Sequence, residues 1–277
     1  QKKNNDVYLW KPINIELYSI DTLPGLDTLF KANPFLRNSF NTGNVIGLGL
    51  GAINFTRNRT SSKNRNNSHF IRLGFEESGL LTSVVKELES KVYRFIKLEG
   101  EYRFTQKRLK SELAYRAFAG VGIPLGGQSL PFFKQYFAGG PNSMRAWSFR
   151  QLGLGSSLLS DTIPATSFRD RFGDMQLETN LEYRFTIATI NGIKIGSAVF
   201  TDIGNVWNLK KDAGNTGAEF SLDRLYKDLA IGVGTGLRID FSYFLLRLDF
   251  AYKVKDPGRV KNGGWMSFKN FAWTEQR

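Results

Sequence analysis

Strict alternation of apolar and polar residues, sustained over about ten positions, constrains this chain more than any other feature of its sequence. The clearest segment runs from Leu177 to Phe185, with apolar residues at nearly every second position. Successive side chains of a strand point to opposite faces, so Glu178, Glu182 and Arg184 would share one face. A membrane barrel with lipid outside and a polar lumen inside produces this pattern. The alternation therefore favours transmembrane strands.

Nine segments give the predicted architecture. The turn at Asn191-Gly192 is a hairpin signal, and short turns alternate with long connections, as they do in membrane barrels. The fold class is therefore predicted to be all-β, an antiparallel transmembrane β-barrel. The predicted strands are Ile13 to Ile20, Val45 to Thr56, Phe70 to Glu76, Ile96 to Phe104, Leu113 to Val121, Leu177 to Phe185, Ile193 to Trp207, Leu229 to Asp240 and Leu246 to Lys253.

Some segments outside these strands also carry predictions. Phe220 to Asp228 and Thr82 to Ser90 have helix-forming residues, and Met266 to Arg277 starts a further strand. The basic stretch Arg57 to Ser68 is predicted to be a loop. On the strand Leu229 to Asp240, small residues occupy the predicted lumen face, which leaves room for a segment inside the barrel.

Composition narrows the class of protein. The chain has 277 residues and a formal net charge of +13, which suits either nucleic acid or anionic lipid headgroups. It shows no shift in composition, so one domain covering residues 1–277 is the simplest organisation. No apolar run reaches about 18 residues, so no helical membrane span is predicted, whereas barrel strands are only half apolar. Cysteine is absent, which excludes disulfides and thiolate metal sites.

The sequence gives little support for a nucleotide, catalytic, metal or nucleic-acid site. Gly47-x-Gly49-x-x-Ala52 nominally matches a dinucleotide fingerprint, but no helix-forming stretch follows it. The single histidine, His69, has no recognisable catalytic partner nearby and is predicted to be a surface residue. No cofactor and no metal site are expected. Aromatic residues interleaved with Lys and Arg could bind nucleic acid, but their period of two favours the apolar face of a barrel.

A conspicuous arginine lies in the long loop Gly122 to Asp174. An arginine in such a loop can fold into a polar lumen and pair with carboxylates of the wall. Glu182 on the predicted lumen face is one candidate, and Asp202 is the other. Ordinary lumen polarity and an acid–base pair for hydrolysis remain alternatives for these two carboxylates. The motif that contains the arginine reads Gly139-Gly140-Pro141-Asn142-Ser143-Met144-Arg145-Ala146-Trp147.

This motif resembles the Gly-Gly-x-x-Ser-Val-Arg-Gly-aromatic motif of the BamA/TamA superfamily of outer-membrane β-barrel insertases. The resemblance covers nearly the whole chain. Ala146 replaces the usual glycine and Trp147 takes the aromatic position, a variant that is more similar to the TamA-like (TamL) lipoprotein branch. The resemblance implies that Arg145 contacts Glu182 and the aspartate of a Phe-x-Asp-x-Gly element. That element is Phe200-Thr201-Asp202-Ile203-Gly204.

The resemblance also implies a function. The chain would be the C-terminal part of a barrel of about sixteen strands in the bacterial outer membrane. It would assemble or translocate outer-membrane or surface proteins without bond-making catalysis. Expected partners are outer-membrane lipids and lipopolysaccharide, nascent client proteins and a TamB-like periplasmic protein, with no nucleic acid. Alternatives are a two-partner secretion transporter, a passive porin, an outer-membrane hydrolase and a soluble nucleic-acid binder.

Overall fold

One antiparallel sheet makes up most of the molecule. The computed structural model describes residues 5–18, 25, 28, 43–60, 66–82, 92–127, 129–158, 171–211, 215–259 and 261–266. Each strand pairs antiparallel with its neighbours in sequence, in the order β1 to β9. All nine predicted strands are present, so the all-β class is confirmed. The strands are β1 Asn5–Tyr18, β2 Gly43–Thr60, β3 Asn67–Ser78, β4 Phe95–Lys107, β5 Ser111–Pro124, β6 Met175–Ile190, β7 Ile193–Trp207, β8 Ala230–Asp240 and β9 Leu245–Lys255.

The connections divide the sheet into two ends. Short turns join β4 to β5, β6 to β7, and β8 to β9, and these turns define the short-turn end. The opposite, long-loop end carries the connections 79–94, 125–174 and 208–229. The predicted alternation of short turns and long loops is therefore confirmed.

Helices are short in the part of the chain that the structure describes. The predicted helix of Phe220 to Asp228 is present as a 3₁₀ turn, Leu222–Arg224, followed by α1, Leu225–Asp228. No helix in this part is long and apolar enough to cross a membrane. The predicted helix of Thr82 to Ser90 and the predicted strand at Met266 to Arg277 lie outside the described residues, except for Thr82 and Met266.

The predicted start of the first strand at Ile13 was wrong, because β1 begins at Asn5. The register of β1 against β2 shifts between Lys11 and Ile13, on either side of Pro12. Residues 7–10, Val-Tyr-Leu-Trp, are apolar or aromatic on both faces of the strand, so the alternation is lost before Pro12. A search for one continuous period therefore finds only the second half of the strand.

The predicted loop of Arg57 to Ser68 was wrong at both ends, whereas its residues 61–65 lie outside the described residues. β2 continues to Thr60 and β3 starts at Asn67, with Arg57 paired to Ile71. The strands extend beyond their apolar part, so pairing persists where the hydrophobic pattern has ended. His69 is consequently a strand residue, with its Nδ1 atom 2.8 Å from the Tyr102 hydroxyl.

The long connection between β5 and β6 folds against one face of the sheet. We call residues 125–174 the inward loop and the face that it covers the lumen face. The largest buried apolar cluster combines loop residues such as Met144 and Leu152 with wall residues such as Phe118 and Val206. Side chains on the opposite, outer face are apolar and exposed, as at Leu181. The predicted inward-folded loop is therefore confirmed.

Small residues on the lumen face accommodate this loop. A Cβ atom added at Gly120 would stand 2.5 Å from the Tyr136 ring, well inside van der Waals contact. A Cβ added at Gly232 would stand 3.0 Å from the Cβ atom of Ala146. The small residues of β8 thus leave room for a segment inside the barrel, as the sequence predicts.

Gly204 provides a test of how closely β6 and β7 approach each other. A Cβ added there would lie 2.5 Å from the Leu177 carbonyl oxygen and 2.9 Å from the Glu178 Cα, both backbone atoms. We expect Gly204→Ala to force the strands apart and to destabilise the barrel by about 1–3 kcal/mol. The measurement is the temperature at which the folded, fast-migrating band disappears on an SDS gel.

Gly100→Ala is the matched control, because a Cβ at Gly100 would meet nothing closer than 3.7 Å. Equal loss temperatures for the two variants would contradict the close approach at Gly204.

Candidate functional site

The loop motif folds into a compact turn that presents Arg145 to the wall. Gly139 has a φ of +112°, and a Cβ there would stand 2.2 Å from the Ser148 carbonyl oxygen. Only glycine accommodates both conditions. The backbone N–H of Gly140 donates to the Trp147 carbonyl at 2.8 Å, which closes the turn around the arginine.

Arg145 binds Asp202 through two parallel hydrogen bonds. Its Nε donates to Oδ2 at 2.9 Å and its Nη2 donates to Oδ1 at 2.8 Å. The backbone N–H of Arg145 also donates to Oδ2 at 3.0 Å. Asp202 lies on β7 and is fully buried. A planar guanidinium fits a carboxylate in this way, whereas a lysine amine supplies only a point charge.

Glu182 is the second carboxylate that contacts Arg145. The Arg145 Nη1 donates to Oε2 of Glu182 at 2.6 Å. The other oxygen, Oε1, accepts from Arg184 Nε at 2.8 Å and from Arg238 Nη2 at 3.1 Å. Glu182 therefore joins three guanidinium groups, one from the loop and two from the wall, while Asp202 has Arg145 as its one cation among the described residues.

Phe200 forms the floor of the site. The guanidinium carbon of Arg145 lies 3.4 Å from the centre of the Phe200 ring, a cation–π contact. Gly234 on β8 makes space for this ring, because a Cβ there would stand 2.3 Å from the ring. The planar cation is thus held by carboxylates at its edges and by an aromatic ring on its face.

A second set of polar contacts holds the loop at Ser143, two residues before Arg145. Ser143 Oγ donates to Oε2 of Glu178 at 2.5 Å, and Arg116 Nη1 donates to Oε1 at 2.5 Å. Asn180 Nδ2 donates both to the Ser143 carbonyl at 3.2 Å and to Asp202 Oδ1 at 2.9 Å. Asn180 therefore links the Ser143 contact to the Arg145 contact.

Apolar neighbours exclude water from one side of the motif. Met144 is fully buried, Trp147 is 4% exposed, and Ala146 packs against the same cluster. The Trp147 Nε1 donates to Asp256, just after β9, at 3.4 Å. The charged groups of Arg145, Asp202 and Glu182 lie beside this cluster and are therefore largely dehydrated. Burying an ion pair costs desolvation free energy that offsets much of its attraction, so the network fixes geometry more than it adds stability.

Lys134 attaches the loop to a different part of the wall. Its Nζ lies 2.8 Å from Glu16 on β1 and 2.6 Å from Glu76 on β3. Burial favours the neutral amine, but the hydrogen bonds to both carboxylates raise the pKa of Lys134 above its ordinary value, so it stays charged. The neighbouring Phe133 stacks on Tyr18 with ring centroids 3.7 Å apart. The inward loop therefore contacts both β1 and β7.

The structure brings the loop motif and its predicted partners into one region of the lumen face. Gly139 to Trp147 form the turn, Glu182 and Asp202 bind Arg145, and Phe200 lies beneath it. Gly204 lies two residues after Asp202 on β7 and is paired with Glu178 on β6. Neither carboxylate is free of a cation, so the pair does not have the arrangement of a hydrolytic acid and base.

Several residues that contact the loop motif are not singled out by the sequence. Glu178 and Asn180 share the face of Glu182 at a spacing of two, and that signal could have identified them. Arg238 lies on another strand, and only the register of β7 against β8 brings it near Glu182. No local signal predicts the pairing of Lys134 with Glu16, which are far apart in the sequence.

Comparison with known proteins identifies the family of this chain. The family model described as "Omp85 superfamily domain" matches residues 39–269, most of the chain. The protein therefore belongs to the Omp85 superfamily, a family of outer-membrane protein assembly and translocation factors. No curated protein sequence matches the chain.

Solved structures that match the chain include BamA from Haemophilus ducreyi lacking POTRA domains 1–3. The identity is 16% and the TM-score is 0.45. The match covers 78% of this chain and 52% of that structure, so this chain spans about half the length of that relative.

The contact of Arg145 with Asp202 can be tested by a double-mutant cycle. Arg145→Met leaves the buried Asp202 carboxylate without its cation, and Asp202→Asn leaves Arg145 with the carboxylate of Glu182 alone. The double variant removes both charges of the tested pair. We expect a coupling free energy of about 2–3 kcal/mol in urea unfolding followed by tryptophan fluorescence. Glu182 is a poorer partner for the cycle, because it keeps two other arginines.

The exposed pair of Arg57 and Asp6 is the matched control, changed to Met and Asn. We expect far weaker coupling there because water screens both charges. A coupling free energy between Arg145 and Asp202 that is no greater than in the control pair would contradict a buried ion pair at this site.

Proposed function

We propose that this protein assembles or translocates other proteins at the bacterial outer membrane. The single observation that supports this most is the burial of Arg145 of the inward loop between Asp202 and Glu182 on the wall. A loop pinned inside the barrel blocks free passage, which disfavours a passive porin. Membership of the Omp85 superfamily supports the same class of function.

The proposed mechanism depends on shape rather than on bond-making catalysis, and it needs no cofactor. Strands at the edge of a sheet present unpaired N–H and C=O groups, to which an incoming chain can add as a further strand. The inward loop contacts β1 through Lys134 and β7 through Arg145, so it would hold the two parts of the wall at a fixed separation. We propose that this bracing keeps the barrel competent to admit a client.

Finer assignments follow from the sequence and extend the proposal. The Met144-Arg145-Ala146-Trp147 version of the motif supports the TamA-like (TamL) branch. The chain would then be the C-terminal nine strands of a barrel of about sixteen, with residues 1–277 forming one barrel portion and the inward loop as its plug. Its partners would be outer-membrane lipids, lipopolysaccharide, nascent clients and a TamB-like periplasmic protein.

Depletion of the protein in its native host tests this function. We expect the abundance of many outer-membrane or surface proteins to fall, measured by quantitative mass spectrometry of the outer-membrane fraction. Wild-type protein should restore them, and Arg145→Ala should restore less than half because the loop loses its anchor to β6 and β7. Arg57→Ala removes an exposed arginine of the wall and should restore them fully.

Other outcomes would assign the protein elsewhere. Loss of a single secreted substrate would indicate a two-partner secretion transporter. Ion conductance in planar bilayers with an unchanged outer-membrane proteome would indicate a porin. Either result would contradict the proposal.

A further inference from the structure

A cavity of 580 Å³ opens at the short-turn end of the lumen face. It is bounded by the turn between β4 and β5 and by the adjacent ends of β6 to β9. A volume of this size is within the range of sites that hold small ligands or short peptide segments. A second cavity of 580 Å³ shares Glu182, Arg184 and Arg247 with it and reaches the underside of the loop at Pro141 and Asn142.

The lining of the first cavity is strongly basic. Seven of its residues are Lys or Arg and three are Asp or Glu. The paired cations are Lys107 and Arg184 with Glu112, Arg184 and Arg238 with Glu182, and Arg247 with Asp249. Arg108, Lys110 and Lys194 are exposed and have no carboxylate within ion-pair distance among the described residues. The cavity therefore carries an excess of positive charge that the protein itself does not neutralise.

The geometry points to an acidic polypeptide segment as the ligand of this cavity. We propose that Arg108, Lys110 and Lys194 at the rim, with Arg184 and Arg247 deeper in, bind the carboxylates of an Asp- or Glu-rich segment. We call this set of five residues the basic vestibule. Guanidinium and ammonium groups spaced around an open cavity suit successive carboxylates of an extended chain.

The direction of the charges favours a polypeptide over a lipid headgroup. Arg184 and Arg247 point to the lumen face, as their partners Glu182 and Asp249 do. On the same strands, residues such as Tyr183, Leu246 and Leu248 are exposed on the outer face. The positive charge of β6 and β9 is thus turned away from the surface that would meet lipid.

Arg247 connects the basic vestibule to the inward loop. Its Nη2 donates to the Pro141 carbonyl and to Asn142 Oδ1 at 3.3 Å, within the loop motif. A carboxylate that captured Arg247 would compete with these contacts. Occupation of the vestibule would therefore loosen the tip of the loop, although the binding itself does not depend on the proposed function.

Binding of a defined peptide tests the proposal. The full-length protein is reconstituted in phosphatidylcholine nanodiscs and titrated against a fluorescein-labelled decapeptide of alternating glutamate and serine, followed by anisotropy. We expect saturable binding that weakens with added salt, and none for the glutamine version of the peptide. Replacement of Arg108, Lys110 and Lys194 by Gln should weaken binding by about tenfold, because three exposed charge contacts are lost.

The matched control removes the same charge from the long-loop end by changing Lys210, Lys211 and Lys227 to Gln. It should leave the affinity unchanged. Equal weakening in both triple variants would indicate non-specific attraction to a basic protein and would overturn the proposal, as would the absence of binding.

A third arm distinguishes a lipid headgroup. Phosphatidylglycerol vesicles replace the peptide, and the vestibule variant is expected to bind them as the wild type does. Weaker vesicle binding with unchanged peptide binding would assign the vestibule to lipid and overturn the proposal. If the triple variant fails to fold, Lys194→Gln alone should still weaken peptide binding by about twofold.

Discussion

The contact between Arg145 and Asp202 connects a long loop to the wall of a nine-stranded sheet. The carboxylate is fully buried and accepts from three N–H groups of one residue, including its backbone amide. An arginine does not lose its proton in a protein, so the cation of this contact is permanent. The rest of the loop motif positions this one cation, with glycines to turn the chain and Trp147 to fill the space behind it.

The wall is adapted to the loop as much as the loop is to the wall. Gly232 and Gly234 on β8 leave space for Ala146 and for the Phe200 ring, and Gly120 on β5 leaves space for Tyr136. Larger residues at these positions would displace the loop or the Phe200 ring from its place against the wall. Contacts at Lys134 and Arg145 then hold the loop at two separated parts of the sheet, which is how a flexible connection becomes a brace.

The sequence predicts the strands well because their alternation is a local property with a period of two. It fails at the start of β1, where residues 7–10 are apolar or aromatic on both faces, and at the end of β2 and the start of β3, where pairing continues without apolar residues. The placement of Glu182 and Asp202 follows from a motif and from strand phase. The roles of Arg238 and Lys134 could not be predicted, because each depends on which distant strands become neighbours and not on any local pattern.

A disulfide between the loop and the wall tests most directly whether the inward loop lies against the lumen face. The chain contains no cysteine, and a Cβ at Gly232 lies 3.0 Å from the Cβ of Ala146, close enough for a disulfide after a small shift. The variant Ala146→Cys/Gly232→Cys should form this bond spontaneously in intact cells, seen as a mobility shift that a reductant reverses. A pair that stays reduced, with the cysteine at position 146 labelled from outside by a membrane-impermeant maleimide, would contradict a loop held within the lumen.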